Sequence, residues 1–173
     1  MTIVVADTGP IRYLLVIGGI ELLPRLYDRV LLPRSVQAEL THHRAPEDVR
    51  AWALRPPAWV EIREVERLEA TKELDVGEAD AISLARATGA DWVLLDEREG
   101  RARALALNLR VSGTVGVLEL AAERGLIDLN DAFAKLRRTN FRIAPQTVRE
   151  ALERDAIRRT RNPGGPMSES PTA

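Results

Sequence analysis

Thr2-Ile3-Val4-Val5-Ala6-Asp7 begins as a short apolar run and is closed by an acid. The run does not alternate, so it reads as a strand buried on both faces, which belongs in a parallel sheet. Pro10 then opens a helical pattern carried by Ile11, Leu14 and Leu15. It continues through Ile20, Leu22, Leu23 and Leu26 after the Gly18-Gly19 interruption. The same unit follows again: Val30-Leu31-Leu32 is a strand ended by Pro33, and Ser35 is placed to N-cap a short helix bearing Val36, Glu39 and Leu40.

A helix is expected over 47–54, and Trp59-Val60-Glu61-Ile62 alternates like a half-exposed or edge strand. Asp75 and Glu78 have the spacing of a capping box, with Asp75 as N-cap, for a helix that Gly89 closes. Trp92-Val93-Leu94-Leu95-Asp96 repeats the pattern of a buried strand ending in an acid. A helix over about 100–109, a short strand over 110–114 and a helix over 117–124 ended by Gly125 complete the series. Strands alternating with helices predict an α/β protein whose parallel sheet is covered on both faces. Residues 130–138 and 146–159 read as amphipathic helices that either complete the core or clasp a partner. From Arg161 onward the apolar pattern stops and a disordered tail is expected.

The 173 residues are enough for one hydrophobic core, so a single domain over 1–160 is expected, with its core in 2–127, C-terminal helices over 130–160 and a tail over 161–173. The chain has no cysteine, which excludes disulfides, thiolate zinc sites and a cysteine nucleophile. It also lacks a signal-like start and a run long enough to span a membrane, so a soluble cytoplasmic protein is expected. With a net charge of −1, contact with nucleic acid must come from local basic patches.

In a parallel α/β sheet, ligands gather beyond the C-terminal ends of the strands. Asp7 and Asp96 both occupy that position, where each either caps the next helix or contributes to a site. Glu39 and Asp80 lie on helix faces shared with apolar residues, Glu39 with Val36 and Leu40, and Asp80 with Ala81, Leu84 and Ala85. A carboxylate buried there needs an arginine, a hydrogen-bond donor or a metal. Four acids with few histidines and no cysteine describe a hard oxygen site suited to Mg²⁺ or Mn²⁺, able to support hydrolysis of a phosphodiester by metal-activated water. Glu78 is left open: its capping position explains it without metal, or it reaches such a site as an auxiliary acid. Arg98, Arg101 and Arg103 begin beside Asp96, either to steer phosphate or as a solvated helix face. Asp7-Thr8-Gly9 matches the aspartic-protease triplet, but that chemistry uses two such aspartates in a largely β setting.

The ordered set Ala6-Asp7-Thr8, Pro33-x-x-Val36-x-x-Glu39-Leu40, Gly77-Glu78-Ala79-Asp80-Ala81-Ile82-x-Leu84-Ala85 and Leu94-Leu95-Asp96 resembles the PIN domain. Leu95-Asp96-Glu97 and Val111-Ser112-Gly113-Thr114-Val115-Gly116-Val117-Leu118 are similar to an uncharacterised PIN-like family related to VapC toxins. The resemblance implies a three-layer fold with a parallel sheet of order 3-2-1-4-5 and Mg²⁺- or Mn²⁺-dependent cleavage of RNA. It also implies a small antitoxin partner in the active-site groove, and a homodimer. By position, Asp7, Glu39, Asp80 and Asp96 would bind metal and Thr8 would supply a nearby hydroxyl. Gly9 stands where a second hydroxyl residue often follows the first acid, and Glu97 and Glu99 stand near the place of a further acid. These two departures favour an alternative, a catalytically weak PIN-like module that acts by binding an antitoxin or another copy of itself.

Overall fold

The computed structural model describes residues 1–161. The chain divides into two compact units, Met1–Val117 and the residues from Leu118 onward. The first unit holds a five-stranded sheet in the order β3-β2-β1-β4-β5, with every pairing parallel. Its strands are β1 (Ile3–Ala6), β2 (Arg29–Pro33), β3 (Val60–Arg63), β4 (Trp92–Leu94) and β5 (Val111–Ser112). Helices flank it: α1 (Thr8–Val16), α2 (Leu22–Leu26), α3 (Arg34–Leu40), α4 (Glu47–Leu54), α5 (Val76–Thr88) and α6 (Arg98–Ala106). A 3₁₀ turn over Glu69–Thr71 precedes α5, and α7 (Thr114–Glu123) begins in this unit.

The apolar runs form the centre of the sheet because each strand buries both faces. Val4, Val5, Leu31, Leu32, Val93 and Leu94 are essentially inaccessible, and sequestering such side chains stabilises by about 1.5–3 kcal/mol each. α5 packs on β1, β2 and β4, while α1, α3 and α4 pack on one another and α3 also contacts β2. The core cluster joins Val5, Leu31, Val93 and Leu95 of the sheet region to Ala81, Ile82, Leu84 and Ala85 of α5.

β1 lies between β2 and β4, so the chain runs outward to β3 and then returns to the opposite side of β1. The order reverses between β1 and β4, the place where a parallel sheet opens a crevice at its carboxyl ends. Asp7 follows β1 there, and its amide donates to the Leu94 carbonyl of β4 at 3.1 Å. Asp96 follows β4 two residues further on.

Several local features differ from the sequence reading. α1 starts at Thr8, which leaves Pro10 inside the first turn, where its missing N–H is not needed. α3 is N-capped by Pro33 and not by Ser35; Ser35 lies within the helix and its buried hydroxyl has no partner among the described residues. Asp75 does sit at the N-cap of α5, but it makes no side-chain cap hydrogen bond, so the reciprocal capping box is not formed. Gly89 closes α5 with φ +61°, a left-handed conformation that suits a residue without a Cβ.

In the second unit, α8 (Leu129–Arg137) buries Leu129, Ala132, Phe133 and Leu136, an i, i+3, i+4, i+7 stripe. Asp128 caps it by accepting from the Asp131 amide at 3.1 Å. α9 (Pro145–Arg161) buries Val148, Ala151 and Asp155 and contacts α8. Buried Asp155 is paired with Arg158 and, at 2.8 Å, with Arg159, which also reaches Asp128 at 3.2 Å. The helix runs through Arg161, one residue into the stretch expected to be a tail; residues 162–173 of that expectation lie outside the described residues. No helix among the described residues is long and apolar enough to cross a membrane.

Candidate functional site

A cleft of about 170 Å³ opens at the carboxyl ends of β1 and β4, lined by Asp7, Thr8, Gly9, Tyr13, Glu39, Asp75, Gly77, Glu78, Asp96 and Glu97. Asp7 lies deepest of the acids, with only 6% of its surface exposed. Although it occupies the N-cap position of α1, it makes no side-chain cap hydrogen bond, so its carboxylate faces the other acids. Burial pushes Asp7 up to about 7, helped by the charges of Glu39, Glu78 and Asp96 and opposed by the Thr8 amide. In the absence of a cation this carboxyl therefore holds its proton to far higher pH than an ordinary aspartate.

Glu39 reaches the cleft from the exposed side of α3, not from its buried stripe. Thr8 Oγ1 donates to Glu39 Oε2 at 2.5 Å, linking the start of α1 to α3. Asp96 is held at both oxygens by one residue: the Thr114 amide donates to Oδ1 at 2.8 Å and the Thr114 hydroxyl to Oδ2 at 2.7 Å. Burial raises the Asp96 carboxyl above its ordinary value, and the Thr114 hydrogen bonds and the Arg101 charge work against that rise. Asp96 does not cap α6, whose N-cap is Glu97.

The largest departure concerns α5. Asp80, expected among the metal-binding acids, does not line the cleft. Its Oδ1 accepts from Arg67 Nε at 2.8 Å, so its buried charge is met by a guanidinium arriving from the segment before α5. Glu78, two residues earlier and 7% exposed, does line the cleft. Its Oε1 is buried and has no hydrogen-bond partner among the described residues. Burial pushes Glu78 up to about 7, with further contributions from Asp75, Glu97, Glu99 and Glu39. An acceptor buried without a donor carries the full cost of lost hydration, and a cation is one group that removes that cost.

Glycines stand behind these acids. A methyl group on Gly77 would sit 2.8 Å from Glu39 Oε1 and 2.9 Å from Asp7 Oδ1. On Gly100 it would sit 2.5 Å from Glu78 Oε1, and on Gly113 2.7 Å from Asp96 Oδ1. Gly9, at the place where the resemblance puts a second hydroxyl residue, lies against Asp96, and an added Cβ there would sit 3.3 Å from Oδ2.

The remaining candidates fall around this centre. Glu97 lines the cleft and is exposed, while Glu99 is exposed and acts on Glu78 only through its charge. Arg98 is exposed; Arg101 donates to the Leu95 carbonyl at 2.8 Å, and Arg103 pairs with Glu73 at 3.5 Å. Sequence reasoning assigned no role to Tyr13, Gly77 or Thr114; the last lay within the quoted 111–118 run without an assigned task. A larger open groove of about 470 Å³ is lined by Arg29, Leu31, Arg63 and Glu64 together with Leu84 and Thr88 of α5. It gathers none of the candidate acids, and Arg29 and Arg63 already pair with Glu61.

The all-oxygen donor set, the unpartnered Glu78 oxygen and the room left by the glycines fit a hard divalent cation. Among the described residues no three His, Asp or Glu side chains are grouped closely enough to hold a metal ion as they stand; the acids line an open cleft. A family model described as PIN domain matches residues 3–156. The chain belongs to the PIN domain family. PIN domains are in general nucleases, typically used with divalent metal ions, and the parallel order 3-2-1-4-5 with helices around it is consistent with that fold. No curated protein matches the chain.

Proposed function

We propose that the chain is a divalent-metal-dependent endoribonuclease in which Asp7, Glu39, Glu78 and Asp96 hold Mg²⁺ or Mn²⁺. The observation that carries the reading is the buried, unpartnered Oε1 of Glu78 in a cleft already occupied by buried Asp7. A cation held by these acids would supply neutralisation of charge on the phosphoryl oxygens and a nucleophile at neutral pH. The chain's own groups prepare for it. Thr8 fixes one oxygen of Glu39, and Thr114 fixes both oxygens of Asp96, so these two acids are oriented in advance. Asp7 and Glu78, both raised to about 7 by burial, would hold a cation as carboxylates and give up their protons to do so. Asp80 is left outside the metal set because Arg67 already neutralises it.

RNA as the substrate, a toxin role, a small antitoxin partner and a homodimer are supported by the likeness of the quoted motifs to VapC-like toxins. The test is cleavage of an end-labelled RNA with Mn²⁺ or Mg²⁺ by the parent, Asp7→Asn, Glu78→Gln and Asp80→Asn, after any copurified inhibitor is removed. Metal-dependent cleavage by the parent and by Asp80→Asn, lost in the other two, is expected. Equal cleavage by all four, or loss in Asp80→Asn with retention in Glu78→Gln, overturns the assignment.

A further inference from the structure

The acids of the cleft present negative charge to any phosphate chain, so a polyanionic substrate needs a cationic surface on the same molecule. Charge is unevenly divided along the sequence. Residues 1–117 carry 15 Lys and Arg against 18 Asp and Glu, whereas residues 118–161 carry 10 against 7. Many arginines of the first part are engaged: Arg29 and Arg63 with Glu61, Arg34 with Glu64, Arg67 with Asp80, Arg101 with a carbonyl and Arg103 with Glu73.

Three cations of α9 are engaged as well. Arg154 pairs with Glu119 at 2.7 Å, and Arg158 and Arg159 pair with Asp155. The end of α8 and the connection after it are different. Residues 132–149 contain Lys135, Arg137, Arg138, Arg142 and Arg149 and no acid at all. Lys135, Arg137, Arg138 and Arg142 are exposed, and none forms an ion pair among the described residues.

Helix geometry sets these cations around the open end of α8. At 100° per residue, Lys135 and Arg137 lie on either side of the buried Leu136, and Arg138 lies opposite it. Cations at a helix C-terminus can also serve the terminal carbonyls. That need is met here without them, because the Arg138 amide bonds to the Lys135 carbonyl and the Thr139 amide and hydroxyl to the Leu136 carbonyl. Thr139 Oγ1 in turn accepts from the Phe141 amide at 3.0 Å, fixing the connection that carries Arg142.

We propose that Lys135, Arg137, Arg138 and Arg142 form a phosphodiester-binding surface that takes the backbone of single-stranded RNA. The proposal rests on the nuclease reading for its choice of RNA and is independent of the metal cleft in its test. Contacts of this kind grip the backbone without reading bases, and their signature is salt dependence.

The experiment uses the full chain in chelator, with a fluorescein-labelled single-stranded RNA followed by anisotropy from 50 to 300 mM salt. The quadruple variant Lys135→Gln, Arg137→Gln, Arg138→Gln, Arg142→Gln is compared with the parent, and thermal melts confirm its fold. Four contacts at about 0.7 ion each predict a log-log salt slope shallower by about 2 to 3 in the variant, and affinity at 100 mM salt about tenfold lower or worse. Arg154→Gln, already neutralised by Glu119, leaves the slope unchanged. Equal slopes for parent and quadruple variant, no binding by the parent at 50 mM salt, or patch-dependent binding of poly-glutamate in preference to RNA each overturns the proposal. If the parent cleaves RNA with Mn²⁺ yet the quadruple variant binds like the parent, only the surface is refuted. If the patch binds RNA but the parent never cleaves it, the surface stands and the nuclease assignment falls.

Discussion

Replacing Asp7 by Asn should change how stability depends on pH, in a direction opposite to that of an ordinary ion-paired aspartate. Folding raises the Asp7 carboxyl from 3.8 to about 7. Between about pH 4 and pH 7 the folded chain therefore keeps a proton that the unfolded chain has lost, and stability falls as pH rises through this window. For Asp7 alone, taking the two values as folded and unfolded constants, the loss between pH 5 and pH 8 is about 2 to 3 kcal/mol. Asp7→Asn removes the titrating group while keeping an oxygen that can accept from the Thr8 amide. Urea unfolding in chelator at pH 5, 6, 7 and 8 should show the parent losing stability across this range more steeply than Asp7→Asn, with a difference of that size. Mn²⁺ at pH 8 should restore much of the parent's loss and affect the variant less. Parallel pH profiles for the two proteins, or a parent more stable relative to the variant at pH 8 than at pH 5, would refute the account of a buried carboxyl held among other acids.

The other expectations are shorter. Glu78→Gln should lower metal-dependent cleavage by about 10²-fold or more, by analogy with the loss of a metal-site group, while Asp80→Asn stays within a few-fold of the parent in the same assay. Arg67→Ala should lower the melting temperature by stranding buried Asp80; if the pairing is the cause, adding Asp80→Asn recovers part of the loss. Gly77→Ala should weaken Mn²⁺ binding measured by calorimetry, because the new methyl meets buried Asp7 at 2.9 Å as well as the more yielding Glu39; unchanged affinity would show that the cleft has spare room.

The strand-helix alternation was readable because each central strand is continuously apolar and each ends at Pro or an acid. Asp7 and Asp96 were placed correctly at strand ends for the same reason. That Glu78 and not Asp80 lines the cleft was not readable. Residues Gly77–Ala85 of α5 are all buried, so no polar face remains from which periodicity can say where a given side chain points. Arg67 reaches Asp80 from an irregular segment 13 residues earlier, a contact set by tertiary packing and not by any local pattern. The capping-box spacing at Asp75 and Glu78 offered a local use for Glu78 that the folded chain does not adopt. Glu39 lies beside apolar residues in sequence yet is exposed, because α3 presents only Val36 and Leu40 to the interior. Similarly, Arg154, Arg158 and Arg159 of α9 stand out in composition, but their partners Glu119, Asp128 and Asp155 become apparent only when the helices are in place.

The glycines behind the acids imply an unusual pattern of mutational tolerance. Gly77, Gly100 and Gly113 have no functional group, yet each occupies space where one added carbon would press on a carboxylate oxygen. A saturation screen scored for RNA cleavage should therefore find inactivating substitutions at positions incapable of chemistry. Alanine, usually the mildest replacement, would be among the harmful ones.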